Sequence, residues 1–206
     1  MRYIKKKSCI FTFALLTALL CAVLLTGCAK APAEAEDLPH TEPCWADITI
    51  QDYGTVTVEL DPDAAPITVA NFVSLAESGF YDGLTFHRIM AGFMMQGGDP
   101  EGNGRGGSGT TIKGEFSKNG VDNPLSHTRG TISMARSNAY DSASSQFFIM
   151  HQDYTGLDGS YAAFGHVTEG MDVVDAVCED ARPTDNNGTI PPEQQPVITS
   201  IVIRYQ

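Results

Sequence analysis

Apolar and polar residues alternate along several short stretches of this chain, the pattern of strands with one buried face. Residues 47–50 and 55–60 alternate on either side of Asp52-Tyr53-Gly54, which predicts a hairpin. Further strands are predicted at 84–90, 93–96, 130–135, 145–150, 162–167 and 197–204. Residues 97–109 carry seven glycines, and we interpret them as a long irregular loop.

Two stretches repeat their apolar residues at helical spacing. Residues 66–79 begin with Pro66, which favours the first turn of a helix, and residues 169–178 follow Thr168, a predicted N-cap. Many short strands, two short helices and no strand–helix–strand rhythm indicate an antiparallel barrel or sandwich.

The predicted strand at 145–150 contains two consecutive phenylalanines. Alternation places Gln146, Phe148 and Met150 on one face and Phe147 and Ile149 on the other. One phenylalanine is therefore expected to fill the core, and the other is available to line a site.

Residues 1–27 have a basic start, an apolar middle and a small-residue end, which is typical of a secretory signal. Cys28 follows Thr26-Gly27 and resembles the cysteine of a bacterial lipobox, so we predict cleavage before Cys28 and lipidation of it. An ordinary signal peptide or an uncleaved anchor is the alternative. Residues 28–43 are rich in Ala, Pro and Glu and predict a flexible tether, which leaves residues 44–206 as one domain. The predicted location is the outer face of the cell membrane, held there by lipid.

The balance of acidic and basic residues limits the classes of partner that the chain is expected to bind. The chain has 13 Lys and Arg against 25 Asp and Glu, and four of the basic residues lie before Cys28 with no acidic one. The remainder carries 9 basic and 25 acidic side chains, a formal charge of −16. Such a surface repels nucleic acid and anionic headgroups, so nucleic-acid binding is not expected and the lipid is the predicted membrane contact.

Cysteine and histidine usage argues against thiol and metal chemistry. Cys44 and Cys178 remain after cleavage and lipidation, and the sequence leaves open whether they are bridged. Neither lies near a histidine at nucleophile spacing, and the histidines show no zinc-ligand spacing. We expect no metal and no cofactor. Asp141, Asp153 and Asp158 are interpreted as solvated loop residues, and Trp45 is expected before the first strand, packing the tether onto the domain.

Phe86 to Pro100 (FHRIMAGFMMQGGDP) sets Arg88 beside a soft apolar surface with Gln96 as a polar group. Such a surface suits a ligand with one apolar ring and one amide, as at a prolyl peptide bond. Together with SSQFFIM (144–150) and LDGSYAAFGHV (157–167), the segment resembles the cyclophilin family of peptidyl-prolyl cis-trans isomerases. The resemblance extends in order from about residue 47 to residue 206.

The resemblance implies a mainly β fold, a closed eight-stranded antiparallel β-barrel capped by two short α-helices. It also implies isomerisation of X-Pro bonds in proline-containing polypeptides, here folding exported proteins, with Arg88 as the catalytic residue. Rotation breaks no bond, so no nucleophile is required. By resemblance, the proline pocket is lined by Phe93, Met94, Phe148 and Leu157, polar contacts come from Gln96 and Gln146, the substrate backbone lies at Ala135 and Arg136, and Tyr161 replaces the family's pocket histidine.

Two further departures affect the expectations. Arg136 stands where the family often has Asn, and Gly156 stands where cyclosporin-sensitive members have Trp, which predicts weak cyclosporin binding. We expect a monomer.

Two alternatives stay open at this point: a module that captures proline-containing segments without turnover, and a solute-binding lipoprotein, which usually has two α/β lobes and a longer chain.

Overall fold

The computed structural model describes residues 42–206, so the predicted signal, lipidation site and most of the tether lie outside the described residues. Eight strands and two α-helices make up this part of the chain. The strands are β1 (Cys44–Ile50), β2 (Gly54–Leu60), β3 (Thr85–Met90), β4 (Met94–Asp99), β5 (Thr131–Met134), β6 (Phe147–Met150), β7 (Ala163–Glu169) and β8 (Ile198–Tyr205). The helices are α1 (Pro66–Glu77) and α2 (Met171–Asp180).

The strands form one antiparallel sheet in the order β3-β4-β6-β5-β7-β2-β1-β8. The two outer strands approach each other through a few backbone bonds and no continuous ladder. Gly83 N–H donates to Ile198 O at 2.8 Å, and Phe86 N–H donates to Pro196 O at 2.9 Å. The prediction of a mainly β fold with eight antiparallel strands and two short helices is confirmed, although closure at the β3–β8 seam is only partial.

The sheet curls around an aromatic core that α1 completes. Phe72 on α1 meets the rings of Tyr81, Phe147 and Phe164 at centroid distances of 5.2 to 5.4 Å. All four side chains are fully buried. These rings anchor the strands that carry the site described below.

The long loop between β4 and β5 is tied to α1 by a buried carboxylate. Glu115 accepts hydrogen bonds from the backbone N–H groups of Ile67 and Thr68, at 3.0 and 2.7 Å, and from the Thr68 hydroxyl. A helix N-terminus has unpaired N–H groups and a positive dipole end, so a carboxylate there satisfies both.

Three boundaries differ from the prediction. Trp45 lies inside β1, paired with Glu59 on β2 and Arg204 on β8, because the ladder extends three residues before the predicted start. Thr168 belongs to β7, and Gly170 is the N-cap of α2 with φ of 85°, a left-handed conformation that glycine adopts without strain. The glycine-rich segment contributes its first residues to β4.

Cys44 and Cys178 are both buried free thiols. Cys44 begins β1, whereas α2, which carries Cys178, contacts the turn at the other end of that strand through the Tyr53 hydroxyl and Asp180. At about 3.3 Å per residue, the strand separates the two thiols by more than a disulfide spans.

Candidate active site

A cavity of about 210 Å³ opens between the β3–β4 hairpin, the end of β5, β6 and the segment after β6. Its apolar wall is a small cluster separate from the main core, built around Met94, Phe148 and Met150. Nine of the ten side chains predicted for the active site line this cavity: Arg88, Phe93, Met94, Gln96, Ala135, Arg136, Phe148, Leu157 and Tyr161.

The alternation predicted for β6 explains how one strand serves both core and cavity. Phe147 packs edge-on against Tyr81 and Phe86 in the main core. Phe148 points the other way, into the wall of the cavity, where its ring meets that of Tyr161 edge-on at 5.9 Å. The strand register places Phe148 opposite Gln96 on β4 and Ser133 on β5.

Arg88 lies on β3 at the rim of this cavity. Its Nε donates to the carbonyl of Asn187 at 2.7 Å, and its Nη1 donates to Gln96 Oε1 at 3.2 Å. The other contacts are thioethers: Nη2 to Met90 Sδ at 3.3 Å and Nη1 to Met94 Sδ at 3.8 Å. Burial lowers the pKa of the guanidinium, opposed by Tyr161 and Asp185, but its ordinary value is so high that the charge is kept.

Only two of the five N–H bonds of the Arg88 guanidinium therefore reach an oxygen. Thioethers are weak acceptors, so the remaining donors keep most of their hydrogen-bonding capacity for a ligand in the cavity.

Gln146, the tenth predicted residue, lies one step farther out. Its Oε1 accepts from Gln96 Nε2 at 2.9 Å, and its own Nε2 donates to Gly106 O. It lines a neighbouring cavity of about 190 Å³ that shares Gln96, Ala135 and Arg136 with the first one. A chain of side-chain amides thus runs from Arg88 to the glycine-rich loop.

Arg136 is held by both hydrogen bonds and rings. Nε and Nη2 donate to the carbonyl of Ser160 at 2.9 and 2.7 Å, and Nη1 donates to Ser137 O at 2.9 Å. The guanidinium carbon lies 4.8 to 5.2 Å from the ring centroids of Phe116, Tyr140 and Tyr161. The three rings fix the position of this cation beside the cavity.

A buried histidine backs the apolar wall, which the sequence interpretation missed. His127 stacks behind Phe148 at 5.9 Å, its Nδ1 lies 2.8 Å from Asp158 Oδ1, and its Nε2 lies 3.0 Å from Ser133 Oγ. Burial lowers the pKa of His127 despite the carboxylate. Burial raises the pKa of Asp158, but hydrogen bonds from Ser126 and His127 outweigh it and hold that pKa below its ordinary value.

Asp158 lies in a loop with 35% of its side chain exposed, as interpreted, but its carboxylate also orients a buried imidazole, which the sequence did not predict. No periodicity links the two positions, because the contact joins two loops. Metal chemistry has no evident ligand set here: between residues 42 and 206, no three His, Cys, Asp or Glu side chains come together to hold an ion.

The comparisons with known proteins agree with this geometry. Residues 45–203 match the family model described as "Cyclophilin type peptidyl-prolyl cis-trans isomerase/CLD". The chain belongs to the cyclophilin family of peptidyl-prolyl cis-trans isomerases. The predicted enzyme class is thereby confirmed.

Relatives include the peptidyl-prolyl cis-trans isomerase B of Bacillus subtilis, 49% identical over 123 residues, which cover 60% of this chain and 82% of the relative. The peptidyl-prolyl cis-trans isomerase of Helicobacter pylori strain 26695 is 47% identical over 126 residues, 60% of this chain and 74% of the relative. A crystal structure of a Cryptosporidium parvum cyclophilin in the presence of the dipeptide Ala-Pro has a TM-score of 0.68 and 30% identity. The match covers 79% of this chain and 99% of that one.

Proposed function

We propose that this cyclophilin accelerates X-Pro rotation in exported proteins while tethered to the membrane by lipid on Cys28, and that Arg88 is its catalytic residue. The observation that carries the catalytic part is the Arg88 guanidinium, which is charged, partly desolvated and bound to oxygen acceptors by only two of its five N–H bonds at the rim of an apolar cavity. Each step of the mechanism follows from what such a group does to a rotating amide.

A planar peptide bond resists rotation by about 18–20 kcal/mol because its nitrogen lone pair is delocalised. As the bond twists, the lone pair returns to the prolyl nitrogen, which becomes a hydrogen-bond acceptor. A donor placed at that nitrogen binds the twisted form more strongly than the planar one, and such a difference lowers the barrier. Every ~1.36 kcal/mol of preference raises the rate tenfold.

The apolar wall supplies the other requirement, a fixed hold on the proline ring. Phe93, Met94, Phe148 and Leu157 line the cavity, and no carboxylate is among its lining residues. A ring held there stays in place while the residue before it rotates. The low polarity of the wall also strengthens the hydrogen bond from Arg88.

The cellular place of the enzyme is proposed from the sequence. Residues 1–27 have the composition of a secretory signal, and Cys28 stands at a lipobox-like position. A tether of residues 28–43 would keep the domain close to polypeptides that emerge at the membrane, where slow proline steps delay folding. Between residues 42 and 206, none of the helices combines the length and apolar character needed to cross a bilayer.

We further propose a monomer with weak cyclosporin affinity. Gly156 offers no side chain at the rim, and a Cβ placed there would lie 3.1 Å from the ring of Tyr154. The bulk that the resemblance associates with cyclosporin binding is therefore absent at that position.

The catalytic proposal is tested by exchange NMR on a short X-Pro peptide with the full chain in detergent, because one spectrum reports binding and exchange together. We expect fast cis–trans exchange with the native protein and nearly none with Arg88→Ala at unchanged peptide binding. Exchange that survives this substitution would remove Arg88 from the mechanism.

The tether is tested separately by growing cells with labelled fatty acid. Label in the native protein and none in Cys28→Ser, with release of the variant from the membrane fraction, is the expected result. Equal membrane retention of both proteins would instead point to an uncleaved apolar segment.

A further inference from the structure

The β3–β4 hairpin carries one wall of the proline cavity at its tip. Phe93 is the last residue of the three-residue connection between Met90 and Met94, and its N–H donates to Met90 O at 2.9 Å. Gly92 precedes it with φ of 82°, which suits glycine in such a tight turn. The position of the Phe93 ring therefore depends on what holds this turn.

The turn is held from outside by His151, the residue that follows β6. The backbone N–H of Gly92 donates to His151 Nδ1 at 2.8 Å, and the backbone N–H of His151 donates to Phe93 O at 2.9 Å. The imidazole is mostly covered, with 13% of its side chain exposed. Two bonds from one residue thus hold the two residues of the turn that determine where the Phe93 ring lies.

The direction of the first bond determines the form of the imidazole. An N–H donates to Nδ1, so Nδ1 must present its lone pair and the ring proton must be on Nε2. Nε2 lies 3.1 Å from Asp175 Oδ1 on α2, which accepts that proton in a hydrogen bond. A proton added to Nδ1 would set two N–H groups against each other at 2.8 Å and break the bond to Gly92.

The support behind His151 is rigid. Arg129 binds the Asp175 carboxylate with two hydrogen bonds of 2.7 Å each, and it also donates to the carbonyl of His151 at 2.8 Å. The Arg129 backbone N–H is in turn accepted by Asp153. The carboxylate that orients the imidazole is thus fixed from a second side.

We propose that His151 is a positioning residue for isomerisation: its neutral Nε2–H tautomer holds Gly92, and through it the Phe93 wall of the proline cavity. The inference deepens the proposed function and rests on the isomerase activity. Helix α2 contributes no residue to the lining of the cavity. In this proposal α2 is connected to the cavity through the contact between Asp175 and His151.

The test compares two isosteric substitutions in the full chain. Asn places an oxygen near the position of Nδ1 and can still accept from Gly92, whereas Gln places its amide near Nε2 and keeps only the contact to Asp175. We expect His151→Asn to behave like the native protein and His151→Gln to raise KM by about three- to tenfold, the effect of one lost hydrogen bond. The wall contacts planar and twisted substrate alike, so kcat should change little.

A direct readout uses the Gly92 amide proton in NMR spectra. We expect slow hydrogen exchange of this amide in the native protein and in His151→Asn, and fast exchange in His151→Gln. Asp175→Asn is the matched control, because it weakens the support and leaves the acceptor on Nδ1 in place.

Equal KM values for the Asn and Gln variants, or protection of the Gly92 amide that is the same in native protein and His151→Gln, would overturn the proposal. If the native protein showed no isomerisation, the proposed function would fail while Gly92 exchange still decided the role of His151.

Discussion

Two arginines line the same cavity and are held in opposite ways. Arg88 gives two hydrogen bonds to oxygen acceptors and otherwise contacts the thioethers of Met90 and Met94. Arg136 gives three hydrogen bonds to backbone carbonyls and lies among three aromatic rings. The first guanidinium has two of its five N–H bonds on oxygen acceptors, whereas the second has three and is also enclosed by rings.

In the mechanism proposed above, this difference separates the catalytic arginine from a supporting one. A guanidinium can stabilise a twisted amide only with an N–H bond that no strong acceptor already occupies. One that is bound to the carbonyls of two residues and packed among rings joins parts of the chain and lends its charge to the cavity. Charge beside a substrate is thus not enough to identify the catalytic arginine.

The largest expected effect is on Arg88. Arg88→Ala should lower kcat/KM by about 10²- to 10³-fold, the loss seen when one preorganised donor to a transition state is removed. Arg88→Lys keeps the charge but loses the fork of donors and should recover only part of the rate. A coupled or NMR exchange assay on an X-Pro peptide measures both variants.

The matched control is Arg136→Ala assayed in the same way, for which we expect a loss of less than about tenfold because three of its five N–H bonds already bind backbone carbonyls and three rings hold it in place. Similar losses at the two positions would contradict the distinction between them.

The second prediction concerns stability, for which Arg136 is expected to matter more than Arg88. Arg136→Ala should lower the free energy of unfolding by about 2 kcal/mol, because it leaves the Ser160 carbonyl without its donors and separates the rings of Phe116 and Tyr161. Urea unfolding measures the change. Arg88→Ala should alter stability much less, since only one of its bonds, to Asn187 O, joins distant parts of the chain. A more destabilising Arg88→Ala would contradict this assignment.

The sequence predicted which residues line the cavity, but it did not predict the contacts that hold the two arginines. The alternation in β6 predicted that Phe147 and Phe148 face opposite sides of the sheet. The family resemblance predicted nine of the residues that line the cavity. What holds the guanidiniums was not predictable, because Asn187 O, Ser160 O and the Phe116 ring come from loops far along the chain. The same is true of Asp158 beneath His127 and of His151 beside Gly92. Local periodicity describes elements, and these contacts depend on how the loops return to the sheet.

The third prediction concerns the pH dependence of the free energy of unfolding, which we expect to depend on His127 behind the apolar wall of the cavity. Burial lowers the pKa of His127, so below about pH 6.5 the unfolded chain binds a proton that the native state resists. The free energy of unfolding should therefore fall as pH drops from about 6.5 to the lower pKa of the native state. A second loss follows below about pH 4, where Asp158, whose pKa is also lowered, becomes protonated.

Unfolding midpoints between pH 7 and 5 measure this slope, and His127→Gln is the control. The control should reduce the slope without abolishing it, because His87 is also buried and its pKa is lowered by burial in the same direction. An unchanged slope in His127→Gln would show that the imidazole behind Phe148 does not titrate on unfolding.

The smallest expected effect comes from charge that both arginines share. Residues 42–206 hold eight basic and 22 acidic side chains, yet Arg88, Arg105 and Arg136 line the two adjoining cavities and no carboxylate does. A peptide with Glu near its proline should therefore be turned over about two- to threefold more efficiently than its Lys counterpart at low salt, with the ratio approaching one at high salt. Arg105→Gln is the most informative variant for this test. The exposed Arg105 side chain makes no ion pair within the described residues, so its charge can be removed without disturbing the contacts of Arg88 or Arg136. A preference for Glu that survived both high salt and Arg105→Gln would have to come from shape, and the two cavities would then select substrates independently of their charge.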